Sequence, residues 1–223
     1  MPQPAINPRR CLAQAAIGQK CAGLLAALVA AMMAFIGSTV AAQTIIDEWA
    51  TVKVPPAPEL KAVTVDNNTA LLLLDFGKQN CGQRPRCLAS VPNVQKMANE
   101  ARTKSIFVTH SLFGQATKAD LLIPPLDNEP IVTSGANKFH RTDLEKILKD
   151  KGITTVIVTG TAAHGAVLNT AAAAALLGFK VIVPVDAMSA DPYAEQYTAW
   201  HLVNAPGGIG PNVTLTKMDM IKF

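Results

Sequence analysis

The sequence predicts an α/β domain, a parallel sheet covered by helices on both faces. Three observations predict it. Apolar runs such as TALLLLD at residues 69–75 are continuous rather than alternating, the pattern of strands buried on both sides. Helical periodicities separate these runs, as right-handed βαβ crossovers require. Residues 156–170 (VIVTGTAAHGAVLNT) read as a strand, a small-residue turn and a helix. That order places residues 160–166 at the carboxyl end of a parallel strand, where open α/β sheets hold their ligands.

The elements follow in order. The first strand, residues 69–75, ends in Asp75. Residues 91–103 fit a helix with Val94, Met97, Ala98 and Ala101 along one face. Residues 105–110 (SIFVTH) form a second strand ending in His110, and residues 130–132 a short third. A helix over 142–150 turns Leu144, Ile147 and Leu148 inward and is followed by Gly152. The strand at 154–159 leads into an alanine-rich helix, 164–177, stopped by Gly178; its alanines indicate close packing and carry no chemistry. A strand over 180–185, a helix over 192–203 and a last strand over 213–216 complete the pattern.

The first 42 of the 223 residues stand apart from this domain. Arg9, Arg10 and Lys20 precede an uncharged apolar run and then small residues through Ala42. That succession reads as a secretory signal peptide cleaved near Ala42, which makes the protein exported, periplasmic or secreted. The alternative is a retained membrane anchor. All 16 acidic residues and 17 of the 20 basic ones follow Ala42, leaving a net charge of +1. No clustered basic face is visible, so neither a nucleic-acid partner nor stable membrane association after cleavage is expected. Residues 43–68 read as an arm or linker, stiffened by Pro55, Pro56 and Pro58, in which Trp49 could pin the arm to the domain or to a neighbouring subunit.

Two of the four cysteines fall within the signal; Cys81 and Cys87 remain. An exported pair closing a short loop is most simply a disulfide. A two-thiolate metal site, without nearby histidines, or a reactive thiol are the alternatives.

Strand ends supply the candidates for chemistry. Asp75 follows four leucines out of a buried strand. Desolvation there would raise its pKa and keep it protonated as a general acid; the plainer reading is a cap on the following turn. His110 reads as a core or loop histidine or as a site residue.

Four segments in register, residues 69–75, FHRTDL at 139–144, 160–171, and VDAMSA at 185–190, resemble the isochorismatase-like hydrolase superfamily. The resemblance spans residues 69–220. It implies a Rossmann-like three-layer α/β/α domain over 69–223 with a six-stranded parallel sheet, assembled as dimers or tetramers. Most members are hydrolases using an Asp, a Lys and a nucleophilic Cys. Asp75 matches the aspartate, but Ala166 occupies the cysteine position. The lysine falls on Thr133, with Lys138 able to substitute if the backbone there differs.

A methyl group cannot attack a carbonyl, so an acyl-enzyme through Ala166 is excluded. The isochorismatase branch, which hydrolyses a vinyl ether without the cysteine, is the closer match. It carries a small residue at the cysteine position, an Ala-His pair like Ala163-His164, and a Phe-His-Arg phrase like that of Phe139 to Arg141. On that resemblance Asp75 is the general acid and His164 orients substrate or water. The Gly165 and Ala166 amides would bind an anionic or carbonyl oxygen. The plainer reading of His164 is a residue at the helix start, bonded to backbone. Phe139, Arg141, Thr133, Lys138 and His110 are the further substrate-binding candidates. The ligand is then a small, cyclic or anionic molecule, and no metal or cofactor is expected. The competing expectation is a relative that kept the fold as a binding or structural protein and lost the catalytic machinery.

Overall fold

A computed structural model describes residues 42–223. The signal peptide, but for Ala42, lies outside the described residues, and so do Cys11 and Cys21. The chain divides into two compact units between Pro55 and Pro56. In the first, residues 45–51 run through successive turns, and Thr44 donates from its amide and hydroxyl to Asp47 Oδ2, both at 2.8 Å. Trp49 is exposed there. No described helix is long and apolar enough to cross a membrane.

The second unit is built on a parallel sheet of β2 (Thr69–Leu74), β3 (Phe107–Leu112), β4 (Ile131–Thr133), β5 (Thr155–Thr161), β6 (Lys180–Pro184) and β8 (Val213–Thr216). The spatial order is β4-β3-β2-β5-β6-β8, with the short β7 (Met188–Ser189) paired to the end of β5. The helices are α1 (Lys78–Gly82), α2 (Pro85–Thr103), α3 (Leu144–Asp150), α4 (Leu168–Leu176) and α5 (Pro192–Asn204). This is the three-layer α/β/α arrangement, with six principal strands.

Side chains of a strand alternate between faces, and β2 shows what its unbroken run of leucines is for. Leu71 and Leu73 pack with Val94, Met97, Ala98 and Ala101 of α2 on one face. Leu72 and Leu74 pack on the other with Leu144 and Leu148 of α3, Ala171 and Ala174 of α4, and Leu202 of α5. All four leucines are buried.

The chain moves outward from β2 through β3 to β4, then returns to the other side of β2 for β5. The strand order therefore reverses between β2 and β5, and the crevice at their carboxyl ends is the expected ligand position. Parallel register sets Leu74 against Gly160. Gly160 has φ +140, and a β-carbon on it would lie 2.2 Å from the Leu74 carbonyl oxygen. Only glycine lets the two strand ends come this close.

Some boundaries differ from the sequence reading. Helix α2 begins at Pro85, not residue 91, because Pro85 suits the first helical turn, and Pro92 is carried inside the helix. The helix after β5 starts with a π-helical turn, Ala163–Val167, in which the Val167 amide reaches back to the Ala162 carbonyl (3.3 Å). The segment read as an arm contributes β1 (Val63–Thr64), which pairs in parallel with β9 (Ile221–Lys222).

Candidate active site

The site is assembled where β2, β3 and β5 end. Asp75 leaves β2 with φ +56, a left-handed conformation that aspartate tolerates better than most residues. The turn is closed by the Gly77 amide donating to the Asp75 carbonyl (2.7 Å). It aims the carboxyl group across the sheet edge. Ser111, near the end of β3, donates from its hydroxyl to Asp75 Oδ1 (2.7 Å) and accepts from the Asp75 amide (3.2 Å). Lys138 Nζ lies 2.8 Å from Asp75 Oδ2. Its side chain is fully buried, and Asp75 is only 4% exposed.

Lys138 arrives by way of the loop after β4. The Ser134 hydroxyl donates to the Asn137 and His140 carbonyls, folding residues 134–140 back over the sheet edge. The Lys138 amide donates to Thr170 Oγ1 on α4 (3.2 Å), and its ammonium also donates to the Ser134 carbonyl (3.2 Å). That fold-back is why Lys138 rather than Thr133 faces Asp75. Thr133 is exposed at the end of β4.

Burial dominates the electrostatics of the pair. It pushes the Asp75 carboxyl above its ordinary pKa, against the opposing pull of Lys138 and Ser111. It pushes the Lys138 ammonium below its ordinary pKa, with Asp75 opposing. Burial thus works against the charged form of each group, while the 2.8 Å contact between them works in its favour.

Asp75 lines a cleft of about 160 Å³ together with Asn80, Arg84, Phe113, Ala136, Thr161, Ala162, Gly165 and Ala166. A cavity of about 150 Å³ holds one benzene ring, so this cleft matches a single small ring. Phe113 is 51% exposed at its rim, with the Lys138 ammonium 5.7 Å from its ring centroid. Ala166 presents only a methyl group. Cys81 and Cys87 are buried and joined to each other, so no free thiol stands among the described residues. No group of three or more His, Cys, Asp or Glu side chains that could hold a metal ion occurs among the described residues.

Of the residues singled out from sequence, the structure brings Asp75, Lys138, Gly165 and Ala166 together. The others it disperses. His110 is buried with Nε2 2.8 Å from Glu129 Oε2, and Arg102 clamps the same carboxylate at 2.7 and 2.8 Å. This ring sits on the side of β3 opposite Ser111 and does not line the cleft. His164 is exposed and also outside the lining. Phe139 stacks on Phe179 (centroids 6.0 Å apart) and packs into the core. Arg141 is exposed in a left-handed turn. The Gly165 amide already donates to the Ala162 carbonyl (3.0 Å). Sequence reasoning missed Ser111, Asn80, Arg84 and Phe113. Ser111 was within reach of it, one residue beyond a strand end parallel to Asp75.

A family model described as Isochorismatase domain matches residues 69–210, more than half of the chain. The uncharacterized isochorismatase family protein YrdC of Bacillus subtilis (strain 168) is 30% identical over 156 residues, covering 61% of this chain and 82% of that protein. An isochorismatase family protein from Desulfovibrio vulgaris superposes with TM-score 0.61 at 18% identity, covering 69% of this chain and 96% of the other. The N-carbamoylsarcosine amidase of Thermoplasma acidophilum superposes with TM-score 0.58 at 21% identity, covering 68% and 96%. Identities this low speak for the fold alone. Together with the domain match, they mean that this chain belongs to the isochorismatase family and has its hydrolase fold.

Proposed function

We propose that the protein hydrolyses a vinyl ether carried on a small ring, using Asp75 as general acid and no covalent intermediate. One observation carries this reading: Asp75, buried and paired with Lys138, lines a ring-sized cleft in which Ala166 offers no nucleophile. Desolvation favours a protonated Asp75, the state a general acid needs. Asp75 gives its proton to the terminal alkene carbon, leaving an oxocarbenium ion beside the new carboxylate. Water adds to that cation and loses a proton to Asp75. The hemiketal then collapses to a carbonyl compound and the ring alcohol. Lys138 holds the carboxyl group in place; the proton that Asp75 gives to the alkene carbon is the one it recovers from the adding water. Ser111 fixes the other carboxyl oxygen, directing the acid into the cleft.

The buried Cys81–Cys87 bond and the signal-like N-terminus support export to an oxidising compartment. The test is a screen of the purified protein against vinyl ethers, amides and esters beside Asp75→Asn. Turnover confined to vinyl ethers and lost in the variant supports the reading. Amide turnover that survives in Asp75→Asn overturns it.

A further inference from the structure

We propose that Arg84 is the anion-recognising residue of this cleft, the group that takes a ligand's carboxylate. The inference rests on the reading of the cleft as a substrate site and adds the residue that reads the ligand's charge.

The charges at the cleft are unequal in what they can still bind. The Lys138 ammonium is committed to Asp75 and fully buried. The Arg84 guanidinium lines the cleft and makes no ion pair among the described residues. Its hydrogen bond there is from Nη1 to the Asn80 carbonyl (2.7 Å). A guanidinium carries five N–H donors in a planar fork suited to a carboxylate, so most of this one's capacity is unspent. Two other arginines, Arg102 half-buried and Arg86 exposed, show the contrast. Arg102 clamps Glu129 and Arg86 clamps Glu195, each through two N–H groups. Since Asp75 and Lys138 together are neutral, Arg84 leaves the cleft with a net positive charge and selects an anion.

The backbone around Arg84 is held in place before any ligand arrives. The Arg84 amide donates to the Cys81 carbonyl (2.8 Å), and its carbonyl accepts from the Cys87 and Leu88 amides (2.9 and 3.2 Å). The disulfide closes the same loop, with both cysteines buried. Asn80 Nδ2 donates to the Asp75 carbonyl (3.4 Å), tying the loop to the turn that carries the acid. A recognition group fixed in this way loses little freedom on binding. The remaining lining is Phe113, Ala136, Thr161, Ala162, Gly165 and Ala166, a bed for a ring that is apolar but for Thr161. A carboxylate on Arg84 and a ring on that bed would set the remaining substituent toward Asp75.

Benzoate and its neutral isostere benzamide separate the charge from the ring, and calorimetric titration of the full-length protein reads both. Wild type is expected to bind benzoate more tightly than benzamide. Arg84→Gln is expected to lose roughly 10- to 100-fold in benzoate affinity, the range of one charged hydrogen-bonding partner, with benzamide unchanged. Unchanged benzamide affinity also reports an intact cleft. Asp75→Asn is expected to keep the benzoate preference while losing vinyl-ether turnover. If turnover is absent from wild type yet the Arg84-dependent preference remains, the hydrolase reading fails and the anion site stands. Failure of wild type to bind benzoate, or equal benzoate affinity in Arg84→Gln, overturns the proposal.

Discussion

The Lys138 ammonium meets the Asp75 carboxyl group at 2.8 Å in a place from which water is nearly excluded. A buried pair of this kind is a poor source of stability, because the cost of removing two charges from water rivals their attraction. Its position beside a cleft is better explained by chemistry than by folding.

That argument gives a thermodynamic prediction. Removing one partner leaves the other as an uncompensated buried charge. Lys138→Met or Asp75→Leu alone is expected to lower unfolding free energy by about 3–5 kcal/mol. The two together are expected to recover most of the loss, as measured by urea denaturation of all four forms. Additive losses in the double variant would contradict the pairing.

Acid should unfold the protein through a second cluster. Burial holds His110 below its ordinary pKa of 6.5; the Glu129 bond and charge oppose this, and the Arg102 and Lys118 charges add to it. Burial raises Glu129, but hydrogen bonds from Arg102, His110 and the Leu126 amide outweigh it and hold the carboxyl below 4.5. Both folded values are depressed, so each group adds stability above its unfolded pKa that is lost as pH falls through the folded one. Stability is expected to decline from about pH 6.5 downward. In His110→Gln the part of that decline between pH 6.5 and 4.5 should flatten. Denaturant midpoints taken across that range decide it, and an unchanged slope in the variant is the contrary result.

Gly160→Ala tests the close approach at the strand switch. The substituted methyl meets the Leu74 backbone, which cannot rotate away, in a backbone conformation that L residues avoid. The expected loss is on the order of 1–3 kcal/mol, with lower activity because Leu74 directly precedes Asp75. A melting temperature equal to wild type would mean the strand ends are looser than described.

Ala166→Cys places a thiol in the lining of the cleft that Asp75 shares. Its thiolate is expected to react with iodoacetamide, with the new adduct mapped to residue 166, and small amides are expected to become substrates. Resistance to alkylation in the folded variant would show that this position does not open onto the cleft.

The architecture was largely legible because it depends on patterns that local chemistry imposes. Four consecutive leucines ending in an aspartate read as a doubly covered strand, and β2 is that strand. The turn after β5 was legible for a similar reason, since its small residues permit close approach. The rest of the site depended on long-range geometry. Lys138 reaches Asp75 because Ser134 folds its loop and Thr170 on α4 receives it, and no spacing within residues 133–139 reveals that. His110 and His164 drew attention as histidines at element ends, yet one is held by Glu129 and the other is exposed. Arg84 was hidden inside the Cys81–Cys87 loop, whose pairing was legible but whose direction was not.

The most direct measurement is product analysis after hydrolysis of a ring-substituted 2-alkoxyacrylate in D2O enriched in 18O. Wild type is predicted to place one solvent deuterium in the new methyl group and to release the ring alcohol without solvent oxygen. Asp75→Asn is predicted to slow this by roughly 100- to 10,000-fold. Solvent oxygen in the ring alcohol, or wild-type turnover by Asp75→Asn, would contradict protonation of the alkene by Asp75.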